Sequence, residues 1–276
     1  PDGVEVYPGH VAGSLCGTAM STKASTTIGF ERRSNPALVL DDLDRFVATS
    51  AGIETPKPPN LARIVELNRG PFLPAQPDPP SLPDPSTDAQ LLDVRPFARF
   101  AAGHRPGAVN VPVSGSGFAT KAGFVLAPSQ PVAVAATNDE EGRSAVRGLR
   151  SVGFLEIAAI VPGDGPETLE TVTVEELDAL LAAGAELVDV REEDEWAAGS
   201  IPRSRNIPYR LLALGERGLP HDRPVVTICE SGPRAAIAAS VLAARGFDAR
   251  PVVDGGIADW QREPRPTAEL RRSGSR

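Results

Sequence analysis

The sequence has two thiols and three histidines, and one thiol, Cys229, stands where a protein can use it. It follows the apolar run PVVTI and opens the loop CESGPR, which leads straight into an alanine-rich helical stretch. A strand, a tight loop and a helix N-terminus in that order can turn successive backbone amides inward as an anion-binding nest, with the helix dipole adding positive potential. Both favour a thiolate at Cys229, and Arg234 brings a full positive charge. Gly232 permits the curvature that brings amides round the sulfur, and Pro233 at the helix start has no amide to leave unpaired. Such a group does nucleophilic chemistry: it attacks a soft electrophile and carries the adduct in the loop. The competing reading is an inert buried thiol, which the strand-to-helix placement disfavours.

The elements that must position this loop occur twice. Shifted by 96 positions, LLDVRPFARFAAGHRPGAVNVP (91–112) aligns with LVDVREEDEWAAGSIPRSRNIP (187–208), with ten of 22 positions identical. A repeat of that period is a duplicated domain, larger than a solenoid unit. In each copy an apolar run ending in Asp-Val-Arg predicts a buried strand, followed by a helix and an Asn-(Val/Ile)-Pro turn. Further strands are expected at VAVAA (132–136) and PVVTI (224–228). Thr173 and Glu176 form a capping box, and Gly184 ends the helix before the strand ELVDV. Helices alternating with strands predict an α/β fold with a parallel sheet covered on both faces.

Composition narrows the field. At 276 residues two domains or more are expected, and a net charge of -8 repels phosphate backbones, so nucleic acid is excluded as a partner. The longest nearly apolar run, AAIAASVLAA, is too short to span a membrane. Two cysteines build no disulfide framework and fit a reducing, cytoplasmic setting. Seven prolines between Pro71 and Pro85 predict a semi-rigid linker without helix or sheet. The chain starts at PDGVEVYPGH without a methionine, as though inside a fold, and a fragment is expected.

CESGPRA, with VVDGGIADW after it and LVDVREEDEW before it, resembles a rhodanese domain. The resemblance implies a sulfurtransferase whose loop cysteine takes sulfane sulfur from thiosulfate or a persulfide and passes it to a thiophilic acceptor. Cys229 matches the nucleophile, and Glu230, Ser231, Gly232, Pro233 and Arg234 match the persulfide-binding loop. Related phosphatases and arsenate reductases place five residues between Cys and Arg; here four intervene, and the smaller ring suits one sulfur atom. Asp189 and Arg191 match the Asp-Val-Arg signature and are expected to brace loops; Trp260 is expected in the core. The usual Gly-His-Ile-Pro-Gly-Ala motif becomes GSIPRS here, with Ser200 and Arg203 departing from it.

The first copy keeps GHRPGAVNVP, yet its loop, VAVAATNDEEGRSA, has no cysteine. Aligned on the strand, Ala136 takes the nucleophile's place; aligned on Arg143, Asn138 does, in a loop two residues longer. Asp139, Glu140 and Glu141 make the pocket acidic, so this copy resembles an inactive rhodanese, with His104 a packed structural histidine. His221, in a polar turn, is expected to be solvated.

VEVYPGHVAGSLCG and TTIGFERRSNPAL resemble the closing part of a metallo-β-lactamase-fold domain of the kind joined to rhodaneses in persulfide dioxygenase-like proteins, with helices near LDDLDRFVATS and NLARIVELNRG. His10 matches the Tyr-Pro-x-His histidine and is the candidate metal ligand, but the main His-x-His-x-Asp-His motif is absent, so iron or zinc would require residues beyond this chain. Cys16 is either a pocket thiol or a packed small residue. The expected layout is a metallo-β-lactamase αββα remnant (1–70), a linker (71–87), an inactive rhodanese-like domain (88–166), a catalytic one (167–264) and a disordered tail (265–276). The catalytic domain needs no cofactor, its partners are thiosulfate, low-molecular-weight persulfides and thiols, and self-association is left open. A rival reading makes both copies non-catalytic docking modules.

Overall fold

The computed structural model describes residues 1–9, 23–40, 42–51, 57–71, 73, 75–86, 88–215 and 217–262. The chain divides into two compact units, Pro1–Lys57 and Pro58–Arg276. In the first, β1 (Glu5–Val6) pairs antiparallel with β2 (Thr26–Thr27), followed by α1 (Ile28–Ser34) and α2 (Leu43–Ala51). Thr27 caps α1 by accepting a hydrogen bond from the Phe30 amide. His10 and Cys16 lie outside the described residues.

The second unit opens with α3 (Leu61–Arg69) and then carries both repeats. The first repeat runs β3 (Gln90–Asp93), α4 (Phe97–Ala102), β4 (Val109–Asn110), α5 (Phe118–Val125), β5 (Val132–Ala136), α6 (Asp139–Ser151) and β6 (Ile157–Pro162). Its parallel sheet has the order β4-β3-β5-β6. The second runs β7 (Val172–Thr173), α7 (Val174–Ala182), β8 (Glu186–Asp189), α8 (Glu193–Ala198), β9 (Arg205–Asn206) and α9 (Tyr209–Leu212). It continues through β10 (Val225–Ile228), α10 (Pro233–Ala243), β11 (Ala249–Asp254) and α11 (Ile257–Arg262), with the parallel order β7-β11-β10-β8-β9. Every residue of β5 and of β10 is buried, so both faces of these central strands are covered, as the alternation of elements predicts. The Thr173–Glu176 capping box starts α7.

The two repeats are not beads on a string. One hydrophobic core runs from Leu92 and Phe100 of the first copy through Val188, Ile237 and Leu242 of the second, while the opposite face of the second sheet closes its own core around Leu177, Val226 and Ile228. Helix α10 packs on β4, where the buried Asn110 amide donates to Ser240 Oγ at 2.9 Å, and Phe124 meets Tyr209 edge-on.

Two expectations are corrected. The break between compact units falls at Lys57/Pro58, not at 70/71, because the segment carrying α3 belongs with the first repeat: Asn60 hydrogen-bonds the Val152 carbonyl, and Ile64 and Leu67 lie against Gly153. The proline-rich segment, expected to be a semi-rigid linker, is bonded along the first repeat. Ser81 bridges Ile160 in parallel on the outer edge of β6, the Leu82 amide donates to the Ile160 carbonyl, and Arg150 holds the Pro77 carbonyl at 2.5 Å. Prolines exclude a regular strand but leave isolated ladder bonds to the residues between them.

The departure at Arg203 has a backbone cost. Arg203 adopts φ +69°, and the equivalent Gly107 of the first copy adopts φ +74°. A side chain in this left-handed region costs about 1–2 kcal/mol, partly offset by glycine's larger entropy loss of about 0.5–1 kcal/mol. Arg203→Gly is therefore expected to raise stability by up to about 1 kcal/mol in urea denaturation. A lowered midpoint would show that the arginine side chain contributes more than its backbone costs.

Candidate active site

The loop thiol is positioned by a buried ion pair that both copies build in the same way. Asp189 at the end of β8 and Arg191 two residues on are 0% and 4% exposed. Asp189 accepts from the Arg191 amide and from its Nε and Nη2, the last at 2.8 Å, while Nη2 also donates to the Gly199 carbonyl at 2.6 Å. The Asn206 side chain donates to the carbonyls of Asp189 and Arg191, so the turn after α8 is tied to the strand end. In the first copy Asp93, Arg95, Gly103 and Asn110 repeat each of these bonds. Burial pushes the Asp93 carboxyl up despite the hydrogen bonds and charge of Arg95 that oppose it.

The copies differ in what the remaining guanidinium nitrogen holds. Arg191 Nη1 reaches Glu230 of the cysteine loop at 3.1 Å, whereas Arg95 Nη1 reaches Asp164, beyond β6, at 2.6 Å. The brace grips the loop that follows the third strand of the repeat directly in the second copy alone.

Cys229 follows β10 immediately and is 1% exposed. Its Sγ accepts a hydrogen bond from the Gly232 amide at 3.2 Å, the one loop amide among the described residues that reaches it. Gly232 adopts φ +95° and lies so close to the Val253 carbonyl that a side chain there would collide with it. The Cys229 carbonyl accepts from the Ile257 amide at the start of α11, and a methyl group on the neighbouring Gly256 would overlap the carbonyls of Cys229 and Glu230. The DGG turn after β11 is thus the back wall of the loop. Glu230, Ser231 and Pro233 are exposed, and Pro233 opens α10.

Arg234, expected to bring positive charge to the sulfur, is also paired. It forms a two-pronged pair with Glu195 of α8, at 2.5 and 2.7 Å, while remaining close enough to Cys229 to interact electrostatically. Burial opposes ionisation of both partners, but the pair outweighs it, holding the Glu195 carboxyl below the usual glutamate value and raising the Arg234 guanidinium.

In the first copy, Asp93 pairs with Ala135 as Asp189 pairs with Ile228, so Ala136 occupies the place of Cys229. The loop is not longer there. Asn138 caps α6 by accepting from the Glu141 amide, and the helix begins at Asp139, one residue sooner than α10 begins in its own copy. Arg143 therefore sits on the second turn and pairs with Asp139, which also accepts from Ser81. His104 is packed as expected: 2% exposed, stacked on Phe100 at 3.8 Å, with Nδ1 2.8 Å from the Phe100 carbonyl. His221 is exposed but not merely solvated, since its ring stacks on Phe247. Trp260 is partly buried on the second core, with Nε1 donating to Asp178. Among the described residues no group of three His, Cys, Asp or Glu side chains gathers as a metal site, and no helix is long and apolar enough to cross a membrane.

Spacing gives no sign of one further residue. Lys121 of α5 faces a cleft of about 280 Å³ between the copies, whose other side is Ser231, Gly232 and Pro233 of the cysteine loop. Lys121 lies in SGSGFATKAGF, outside the repeat, and is recognised only once the two copies are packed together.

Two parallel-sheet copies braced by buried Asp–Arg pairs, one of them presenting a thiol at a strand-to-helix loop, define an α/β protein built from a duplicated domain. The rhodanese-like domain family matches residues 80–163 and 173–263, and the chain belongs to that family. The first match begins at Pro80, within the strap that Ser81 anchors to β6. The chain is 36% identical over 80 residues to the "Sulfurtransferase" of Allochromatium vinosum, covering 29% of this chain and 75% of that protein. It is 31% identical over 121 residues to the "Probable adenylyltransferase/sulfurtransferase MoeZ" of Mycobacterium tuberculosis, covering 42% of this chain and 31% of that protein. The chain thus spans about a third of that relative's length. A solved metallo-β-lactamase structure from Staphylococcus aureus subsp. aureus COL superposes with a TM-score of 0.50 at 26% identity, covering 59% of this chain and 46% of that one.

Two outcomes check this site. Gly256→Ala should destabilise the second copy by about 1–3 kcal/mol, as overpacking does, and expose Cys229 to alkylation. The Arg234–Glu195 pair should contribute stability that is fully present above the ordinary glutamate value of 4.5 and lost as pH falls through the lowered folded value. Urea midpoints measured from neutral pH into acid should show this loss in the wild type and a flatter acid limb in Glu195→Gln.

Proposed function

We propose that the chain is a rhodanese-type sulfurtransferase with Cys229 as the sulfur carrier and the first copy catalytically silent. The observation that carries the reading is the Cys229 sulfur held by the Gly232 amide at the mouth of α10, in a family whose curated relatives here are named sulfurtransferases. The Cys229 thiolate attacks the outer sulfur of thiosulfate or of a low-molecular-weight persulfide. The new Sγ–S bond forms as the donor S–S bond breaks, and its electron pair leaves with sulfite or with the donor's thiolate. The Gly232 amide and the positive end of α10 favour the charge on the resulting persulfide. An acceptor thiolate, sulfite or cyanide then attacks the outer sulfur, and the electron pair of the Sγ–S bond returns to Cys229. Ala136 offers no such nucleophile, and an N-cap replaces the nest around it.

The first unit is read as metallo-β-lactamase-like, and the combination as a persulfide dioxygenase–rhodanese fusion, in which sulfur exchange at Cys229 feeds or drains persulfide oxidation. The likeness to the S. aureus structure supports this reading, while the described residues supply no metal centre for it.

Mass spectrometry of the full chain after incubation with thiosulfate or an organic persulfide should show one added sulfur on the Cys229 peptide. Cys229→Ser should show none. Failure of every sulfane donor to load the wild type would replace this reading with the docking one.

A further inference from the structure

The cleft between the copies has a composition that its position beside the cysteine loop does not explain. Its first-copy wall includes Phe97, Val111 and Lys121, and its second-copy wall Gly232, Pro233 and Ile237. The space, about 280 Å³, is far more than thiosulfate fills, and most of its surface is hydrocarbon. Lys121 is half-buried, and among the described residues its ammonium has no hydrogen bond or ion pair. Burial first, then the charge of Arg234, lower its pKa below the usual lysine value, while Cys229 pulls the other way. The neighbouring Arg234 is itself paired with Glu195 through both carboxylate oxygens. A partly desolvated cation beside a second cation is unfavourable until an anion enters.

We propose that this cleft binds the organic part of the sulfur donor, and that Lys121, supplied by the copy without a cysteine, is its specificity-determining residue. The substrate class is a low-molecular-weight persulfide bearing a carboxylate: the carboxylate meets Lys121, the apolar stem lies along Phe97, Val111 and Ile237, and the persulfide end points to the Cys229 loop. This rests on the sulfurtransferase reading of Cys229. The Cys229 thiolate takes the outer sulfur, the donor's S–S electron pair leaves on its inner sulfur as a thiolate, and Lys121 exchanges no proton. Thiosulfate has no stem and gains nothing from the apolar wall, so the geometry favours organic persulfides over it.

The test uses the full chain and steady-state sulfur transfer from two donors of similar size, mercaptopropionate persulfide, which carries a carboxylate, and mercaptoethanol persulfide, which does not. Lys121→Met should raise KM for the carboxylate donor about tenfold, the size of one hydrogen bond to a charged group, with little change in kcat. Its KM for mercaptoethanol persulfide should not move, and Lys121→Arg should restore most of the loss. An unchanged KM for the carboxylate donor, or an equal rise with both donors, would overturn the assignment of Lys121. Wild-type protein that takes sulfur from neither donor nor from thiosulfate would instead overturn the sulfurtransferase reading beneath it.

Discussion

Arg191 is the residue through which three otherwise separate parts of the second copy meet. Its guanidinium joins the end of β8 at Asp189, the turn after α8 at Gly199, and the cysteine loop at Glu230. A buried ion pair is a poor source of net stability, because desolvation cancels much of the attraction. Removing one partner, however, leaves a charge stranded in the interior, so the geometry it enforces is stiff. That stiffness suits a loop whose sulfur must stay under the Gly232 amide and whose back wall is the close approach of Gly256. The first copy keeps the same brace around Asp93 and Arg95 but directs its free nitrogen to Asp164. The scaffold bonds are complete there, while an Asn138 helix cap stands where the second copy has its cysteine loop.

The first copy, with Ala136 at the position of Cys229, still supports the second. Its β4 is covered by α10, the helix that begins at the cysteine loop, and the buried Asn110–Ser240 bond fixes that contact. A single core passes through both copies, so the position of the loop depends on the first sheet as well as the second. The same packing creates the cleft that brings Lys121 toward Cys229.

What was legible in the chain was local or periodic. The shift of 96 exposed the duplication, the Thr173–Glu176 box marked a helix start, and strand, cysteine, glycine and proline in order marked the loop. Readings that depended on distant partners fared differently. Proline content argued for a semi-rigid linker, but Ser81 and Leu82 find bonds on β6 that only the folded sheet offers. Counting to Arg143 suggested a longer loop because helix start, not residue count, sets the equivalence. The pairing of Arg234 went unseen because Glu195, its partner, lies 39 residues away in the chain. Lys121 gave no signal at all, since nothing in its neighbours says that the second copy's cysteine loop will wall the same cleft.

The role of Cys229 as sulfur carrier is tested most directly by loading the full chain with a sulfane donor, removing the excess, and measuring thiocyanate released on adding cyanide. One thiocyanate per chain is expected, with the thiol at Cys229 free again afterwards. Release of none, or undiminished release from Cys229→Ser, would contradict it.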